Sequence, residues 1–333
     1  MAELTSPMVM IAAVLLAIFL DVIFAEPRRW HPLVGFGNLV SWCESWANVS
    51  SASDQRKKRM GIVCWLLLVA PLPISIVYLQ SHWFQWFGPT SWFGTASWFG
   101  SVSGGVLVPA ICLYFSIGWS SLRQHARAVS NGFEIAGIDA AREQVSRIVS
   151  RDTDTMDEAA VARATIESVL ENGSDAVFAP VFWFLILGPA GAVAYRLANT
   201  LDAMWGYRTE RLNQFGWMSA KMDDLLNYIP ARLTALTYAL FGLRRQALDC
   251  WQQQAADCAS PNGGPVMCSG AGALNICLGG GAYYHGQWQE RVYMGAGREA
   301  VMTDVERSVQ LVDNTLLFWC VALLLVALTG GVF

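Results

Sequence analysis

The sequence predicts an all-α, polytopic integral membrane protein with about five membrane-embedded helices, some of them re-entrant, and further helices in the cytoplasm. Three observations predict it. Hydrophobic residues make up 54% of the 333-residue chain and charged ones 14%, against roughly a quarter charged in soluble domains. The chain carries 15 Trp, a residue enriched where helices meet membrane interfaces. Apolar runs of bilayer-crossing length recur along it, and no strand of consequence is legible between them. A net charge of −4 and the absence of a basic tail give no support to nucleic-acid binding.

Residues 7–25 are long enough to span a bilayer. No basic residue precedes them, and Arg28 and Arg29 follow. That pattern argues against a cleaved signal peptide and for a first helix whose C-terminal end is cytoplasmic. Asp21, near its end, reads equally as an interfacial acid or a functional one. Glu26-Pro27 and His31-Pro32 then break the helix. Arg56, Lys57, Lys58 and Arg59 form a basic cluster that sets topology and suits lipid headgroups. Residues 60–79 are a second span. No Asp, Glu, Lys or Arg occurs from Met60 through Leu122, and Trp-Phe-Gly recurs at 86–88, 92–94 and 98–100. This stretch fits an interfacial segment on the far side of the membrane. Residues 106–120 return as a third span, met by Arg123 and Arg127.

Residues 121–175 are the most soluble part of the chain: two or three helices, with breaks near Gly132 and at Arg151-Asp152-Thr153. Asp154 or Thr155 is expected to cap a helix starting near Met156, with Asp157 and Glu158 in its first turn. On that helix Glu167, Glu171 and Asp175 are spaced by four, so they form one stripe, about 40° apart per step. Arg163 sits one turn before Glu167 and is placed to pair with it. A stripe of acids is by itself usually a solvated face. This one runs straight into an apolar segment, and acids held at a membrane boundary are costly and tend to be functional.

Residues 176–195 are apolar enough to cross, but Gly188-Pro189 and Gly191 interrupt them. A polar block follows with Asn199, Asp202, Arg208, Glu210, Arg211, Lys221, Asp223, Asp224 and Asn227. Residues 228–242 are apolar again, short, and carry Arg232. Two full crossings would export Arg196, Arg208, Arg211 and Lys221 with the block, against the positive-inside rule. The two apolar stretches are therefore expected as re-entrant or half-buried helices. Residues 244–259 read as a soluble helix, and the Gly-rich stretch 260–286 as a loop able to cradle a phosphate through backbone N–H groups. The expected organisation is one membrane-embedded domain over 1–333. It comprises a soluble helical segment 121–175, half-buried helices 176–242 bearing the polar block, and a terminal membrane helix 314–333.

The chemistry-bearing motifs are few. The three lysines, at 57, 58 and 221, follow no P-loop pattern, and neither G-x-S-x-G nor HExxH occurs. The eight Cys form no CxxC pair and read as reduced and structural, without a zinc site. What remains is a set of carboxylates and carboxamides on helix faces: Glu167, Glu171, Asn172, Asp175, Asn199, Asp202, Asp223, Asp224 and Asn227. Hard oxygen ligands of this kind suit Mg²⁺ bridging to a substrate phosphate. Interleaved arginines suit phosphate or carboxylate recognition. A buried hydrogen-bond network between helices accounts for part of the same set.

The longest blocks carry a resemblance. RDTDTMDEAAVARATIESVLENGSDAVFAPVFW and YRLANTLDAMWGYRTERLNQFGWMSAKMDDLLNYIPARLTAL resemble the CobD/CbiB family of membrane-bound cobalamin-biosynthesis proteins, the adenosylcobinamide-phosphate synthases. DVIFAEPRRWHPLVGFGNLV, SLRQHARAV and SPNGGPVMCSGAGALNICLGG resemble further blocks of that family in the same order, so nearly the whole chain is covered. Ala25-Glu26-Pro27 stands where the family usually has Gly-Asp-Pro, and Glu171-Asn172-Gly173 where it has Glu-Asn-Thr.

The resemblance implies ATP-dependent joining of adenosylcobyric acid to (R)-1-aminopropan-2-ol or its phosphate. It implies Mg²⁺, and ATP as co-substrate, in a multi-pass inner-membrane protein with its active site on the cytoplasmic side. The implied partners are the corrinoid, aminopropanol phosphate and membrane lipid, without nucleic acid; a homo-oligomer or association with other corrinoid enzymes stays open. On this reading Glu167, Glu171, Asp175 and Asp202 are catalytic. Arg151, Arg163, Asn172, Arg196, Asn199, Arg208, Asn227 and Arg232 bind substrate, and Asp223 and Asp224 hold the metal. Two readings of other classes compete: a membrane sensor similar to AmpE, which predicts erosion of the polar cluster, and a corrinoid-binding scaffold without ligase activity.

Overall fold

The computed structural model describes residues 7–27, 31–87, 103–284 and 286–329. Arg28, Arg29 and the Trp-Phe-Gly repeat beyond residue 87 lie outside the described residues. The helices begin with α1 (Pro7–Phe24), α2 (Pro32–Ala47), α3 (Asp54–Val69) and α4 (Pro71–Phe87). A π-helical turn, Ser103–Leu107, opens α5 (Val108–Tyr114). Next come α6 (Trp119–Ala136), α7 (Ile138–Val145) and α8 (Glu158–Gly173). A second π turn, Ser174–Phe178, leads into α9 (Ala179–Trp205). After it lie α10 (Trp217–Leu240), α11 (Arg244–Gln254) and α12 (Gly263–Leu274). Five short strands, β1 (Ile276–Gly279), β2 (Ala282–Tyr284), β3 (Gln287–Gln289), β4 (Tyr293–Gly295) and β5 (Arg298–Glu299), precede α13 (Thr303–Thr329).

Local chemistry sets the helix ends. His31 caps α2, its Nδ1 accepting from the Leu33 N–H at 3.2 Å, with Pro32 in the first helical turn. The cap of α8 is Asp157, not Asp154 or Thr155. Its backbone is extended, and its Oδ1 accepts from the Ala160 N–H at 2.7 Å. The break expected near Gly132 falls at Gly137, whose φ of 79° favours glycine. Gly132 lies inside α6, where a Cβ would make only ordinary contact with the Ala140 carbonyl.

Four runs are long and apolar enough to cross a membrane: Asp54–His82, Gly105–Ala136, Glu158–Trp205 and Thr303–Thr329. Met8–Phe24 is a shorter apolar helix. The fold is therefore the expected all-α polytopic one. Phe19, Leu67, Ile74, Leu187 and Leu328 are each more than half exposed, as lipid-facing side chains are. The interruption read from Gly188-Pro189 is a kink within α9, with Gly188 at φ 68°.

The chain divides into two compact units. The first comprises Met1–Gly118, Ala179–Leu226 and Ala322–Phe333. Its core joins Val40 and Cys43 of α2, Cys64 and Trp65 of α3, and Leu197, Leu201 and Trp205 of α9. Phe215 completes it, edge-on to Trp205 at 4.8 Å. A Cβ on Gly61 would lie 1.9 Å from the Phe215 carbonyl oxygen, so α3 approaches that closely only as glycine.

The second unit comprises Trp119–Phe178 and Asn227–Val321. At its centre every residue of α12 is buried, as expected of a helix apolar all round. Gly270 packs on Leu170, and Gly272 on the Ala247 backbone. The Gly-rich stretch read as a phosphate-cradling loop is thus, over Gly263–Leu274, a helix whose small residues permit close packing. β1 pairs antiparallel with β4 and parallel with β5, while β2 and β3 form a hairpin. These strands are the departure from the helical expectation. At two to four residues each they are too short for alternation to show in the sequence. α6 is tied to α13 by polar clamps. Trp119 Nε1 donates to Asp313 at 2.8 Å, and Arg127 grips Glu306 through two bonds of 2.9 and 2.6 Å. All eight cysteines are free thiols.

Candidate functional site

The chemistry of the second unit is built around Glu167, whose side chain is 3% exposed. α8 carries it inward beside Ile166 and Leu170, both fully buried. Arg151, from the loop before α8, donates to its Oε2 at 2.6 Å, and Arg291, from the segment after β3, donates to the same oxygen at 2.8 Å. The Gly279 N–H donates to Oε1 at 2.8 Å. An ionised carboxylate in such a place is tolerable only with its charge matched and its lone pairs filled. Burial disfavours the Arg291 charge, yet the Glu167 carboxylate outweighs that and raises the guanidinium above its ordinary pKa. Two guanidinium groups against one carboxylate leave the trio with a net positive charge.

Arg163 does not pair with Glu167 as its spacing allowed. It reaches Glu299 of β5 at 2.5 Å, because Glu167 is turned toward Arg151 and Arg291. Nor, among the described residues, do the three acids of the stripe converge on a metal-ion position. Glu171 lies at the N-terminus of α12, where a Cβ on Gly263 would stand 2.7 Å from its Oε1. A helix N-terminus favours a negative charge. Glu171 also contributes to holding the Arg291 charge. Asp175 falls in the π turn, and its charge acts on the Tyr238 phenol. Burial raises the pKa of the Tyr238 phenol, and the Asp175 charge raises it further. Asn172 folds back on its own helix, donating to the Ser168 carbonyl at 2.8 Å. Arg232 lies over the Tyr228 ring at 3.6 Å and donates to Asn262 Oδ1 at 2.9 Å, so it fixes the loop ahead of α12. Asn227 is buried.

Beside the Glu167 trio lies a cavity of about 200 Å³, lined by Arg151, Asp152, Asp157, Arg163, Tyr283 and Trp288 among others. Asp152 builds its wall. Its N–H donates to the Tyr283 carbonyl at 2.8 Å, and its Oδ2 accepts from the Gly286 N–H at 2.7 Å, which anchors the β2–β3 hairpin. Tyr283 and Trp288 stand opposite each other in the hairpin, edge to face at 5.1 Å.

The first unit holds the other expected residues. Asn199 Nδ2 donates to Asp223 Oδ1 at 3.1 Å, and Arg196 reaches Asn199 at 3.5 Å. The Arg196 Nε is buried with no hydrogen-bond partner, a donor suited to a ligand. Asp202 lies against Gly206, one turn on. Asp224 is 3.9 Å from Lys221, and Arg208 is exposed in the loop after α9. Among the described residues no three His, Cys, Asp or Glu converge on a metal position. Mg²⁺ bound through phosphates needs only one or two carboxylates; Asp223 and Asp224 are successive residues of α10 whose side chains point about 100° apart, so one of the pair faces any given ligand. Near the end of α1, His31 is buried, with Glu26 3.6 Å from its Nε2. Burial lowers its pKa, the Glu26 charge opposes this, and Arg196 lowers it further, so the ring is held neutral below the ordinary value.

Arg291, Glu299 and Trp288 escaped the sequence reading. Gly279 and Tyr283 lie in the Gly-rich stretch read as a phosphate cradle, and the Gly279 N–H instead serves the Glu167 carboxylate.

The family model described as CobD/Cbib protein matches residues 14–312. A protein of Chromobacterium violaceum named cobalamin biosynthesis protein CobD is 48% identical over 319 residues, covering 95% of this chain and 96% of that protein. Its namesake in Stutzerimonas stutzeri is 45% identical over 316 residues, with 95% and 96% covered. The namesake in Mycobacterium tuberculosis is 33% identical over 303 residues, with 90% of each covered. No solved structure matches the chain. With a match of this length, and a helical fold rich in membrane-crossing segments, the chain belongs to the CobD/CbiB family of cobalamin biosynthesis proteins.

Proposed function

We propose that the protein is an ATP-dependent carboxylate–amine ligase. It joins the free carboxylate of adenosylcobyric acid to the amine of (R)-1-aminopropan-2-ol phosphate, or of the unphosphorylated alcohol, at the cytoplasmic face of the inner membrane. The observation that carries this reading is the correspondence to relatives named for cobalamin biosynthesis over 95% of the chain. The arginine-rich site around Glu167 supports it chemically.

A carboxylate is a poor electrophile at neutral pH. Transfer of the terminal phosphoryl group of ATP to it gives an acyl phosphate and ADP. The amine lone pair then attacks the acyl carbon, the bond to the phosphate oxygen breaks, phosphate leaves and the nitrogen gives its proton to a base. Each step places negative charge where guanidinium groups stabilise it. Arg151 and Arg163 hold the phosphate of the substrate. Glu167, held by two arginines and a backbone N–H, keeps Arg151 in place. Glu171, Asp175 and Asp202 are the candidate bases. Arg196, Arg208 and Arg232 bind anionic groups, and Asn172, Asn199 and Asn227 orient substrates. Asp223 and Asp224 would hold Mg²⁺, which when bound neutralises phosphate charge.

Membranes carrying Glu171→Gln, Asp175→Asn or Asp224→Asn are expected to lose cobinamide-phosphate formation from adenosylcobyric acid, ATP and the amino alcohol phosphate. Full activity in all three refutes the assignment. In cells, the gene should restore growth on cobyric acid to a strain lacking its own synthase.

A further inference from the structure

We propose that the cavity between the start of α8 and the β2–β3 hairpin binds a small zwitterion carrying a phosphate and an ammonium group, the amine substrate of the ligase, and does not bind the nucleotide. The inference deepens the ligase reading and rests on it.

Size is the first argument. The cavity holds about 200 Å³, below the roughly 300–1,000 Å³ of pockets that enclose drug-sized ligands. A nucleoside triphosphate belongs to the larger class, and a three-carbon amino alcohol phosphate to the smaller.

Charge is the second. Arg151 and Arg163 line the cavity with side chains only 12% and 23% exposed. Each already holds one carboxylate, Glu167 and Glu299 respectively. A guanidinium has five N–H donors, so both keep donors for a phosphate. Asp152 and Asp157 line the same space. A polyanion would be repelled by that pair. A ligand with one phosphate and one ammonium matches both signs. Asp157 spends one acceptor position on the Ala160 N–H, and a carboxylate offers about four.

The aromatic pair is the third. Trp288 lies so close on Gly281 that a Cβ there would stand 1.9 Å from its ring, so the backbone fixes the indole at the cavity wall. The indole N–H is turned to Glu290 at 2.8 Å. Indole and phenol faces attract an ammonium group. Asp157, Tyr283 and Trp288 thus form a cationic half-site, and Arg151 and Arg163 the anionic one.

The test is equilibrium binding to purified, detergent-solubilised full-length protein, read by saturation-transfer NMR. The probes are O-phosphoethanolamine, ethanolamine, inorganic phosphate and ATP. Phosphoethanolamine should bind, and more tightly than ethanolamine or phosphate. Trp288→Leu and Asp157→Asn should each weaken it about tenfold and leave ATP binding unchanged. Asn keeps the α8 cap, so the second variant guards against misfolding. Unchanged phosphoethanolamine affinity in both variants, or loss of ATP binding in them, overturns the proposal. Turnover is measured separately on the wild-type and Asp157→Asn proteins. Binding without amide formation removes the ligase reading and leaves the zwitterion site standing. Turnover whose KM for the amine is unmoved by Asp157→Asn removes the site and leaves the ligase.

Discussion

Arg151 and Arg291 donate to one and the same atom, Oε2 of Glu167, at 2.6 and 2.8 Å. One arginine comes from the loop just before α8, the other from beyond the β2–β3 hairpin. A single buried carboxylate thereby ties a local helix start to a distant part of the chain. Removing a partner from such a network strands charge away from water and costs about 3–5 kcal/mol. Glu167→Ala should therefore lower the apparent unfolding temperature of the detergent-solubilised protein sharply. Glu167→Gln, which keeps an acceptor, should lower it less. A Glu167→Ala protein as stable as wild type would show that the network contributes nothing.

Gly279 closes the same network through its backbone. Its φ is 78°, and a Cβ would stand 2.1 Å from the Val292 carbonyl oxygen. Gly286 has a similar φ of 74° with open space around it. Gly286→Ala should cost only left-handed strain, about 1–2 kcal/mol. Gly279→Ala adds a backbone clash and disturbs the bond to Glu167, so its loss should be larger. Thermal unfolding of the two variants side by side measures the difference, and equal losses would count against the clash.

His31 supplies a pH dependence of defined sign. Its folded pKa lies below 6.5, chiefly through burial. As pH falls below about 6.5, the unfolded chain takes up a proton that the folded chain resists. Stability contributed by the neutral ring is present above that value and is lost as pH falls through the folded pKa. His31→Asn keeps a capping side chain and removes the titration. The fall in unfolding temperature between about pH 7.5 and about pH 5 should be smaller in the variant than in wild type. Parallel curves would assign the acid sensitivity to other groups.

The amino-acid sequence by itself determined the helical membrane class, because uncharged apolar runs have few other solutions. It also determined the family, since Glu167 and Arg151 stand in a long, characteristic block. It placed helix ends within a few residues, and misplaced them where Asp157 and Gly137 outcompeted equally plausible neighbours. Only the tertiary structure decided the partners. Spacing on α8 offered Arg163 to Glu167, but Arg291, invisible at that distance in sequence, takes the place. The Gly-rich stretch looked like a loop because glycine is flexible in isolation; in the fold its missing side chains let α12 pack tightly as a buried helix. Local periodicity reports which face of an element is apolar. Which charge meets which is settled by long-range packing, and a sequence pattern carries no term for it.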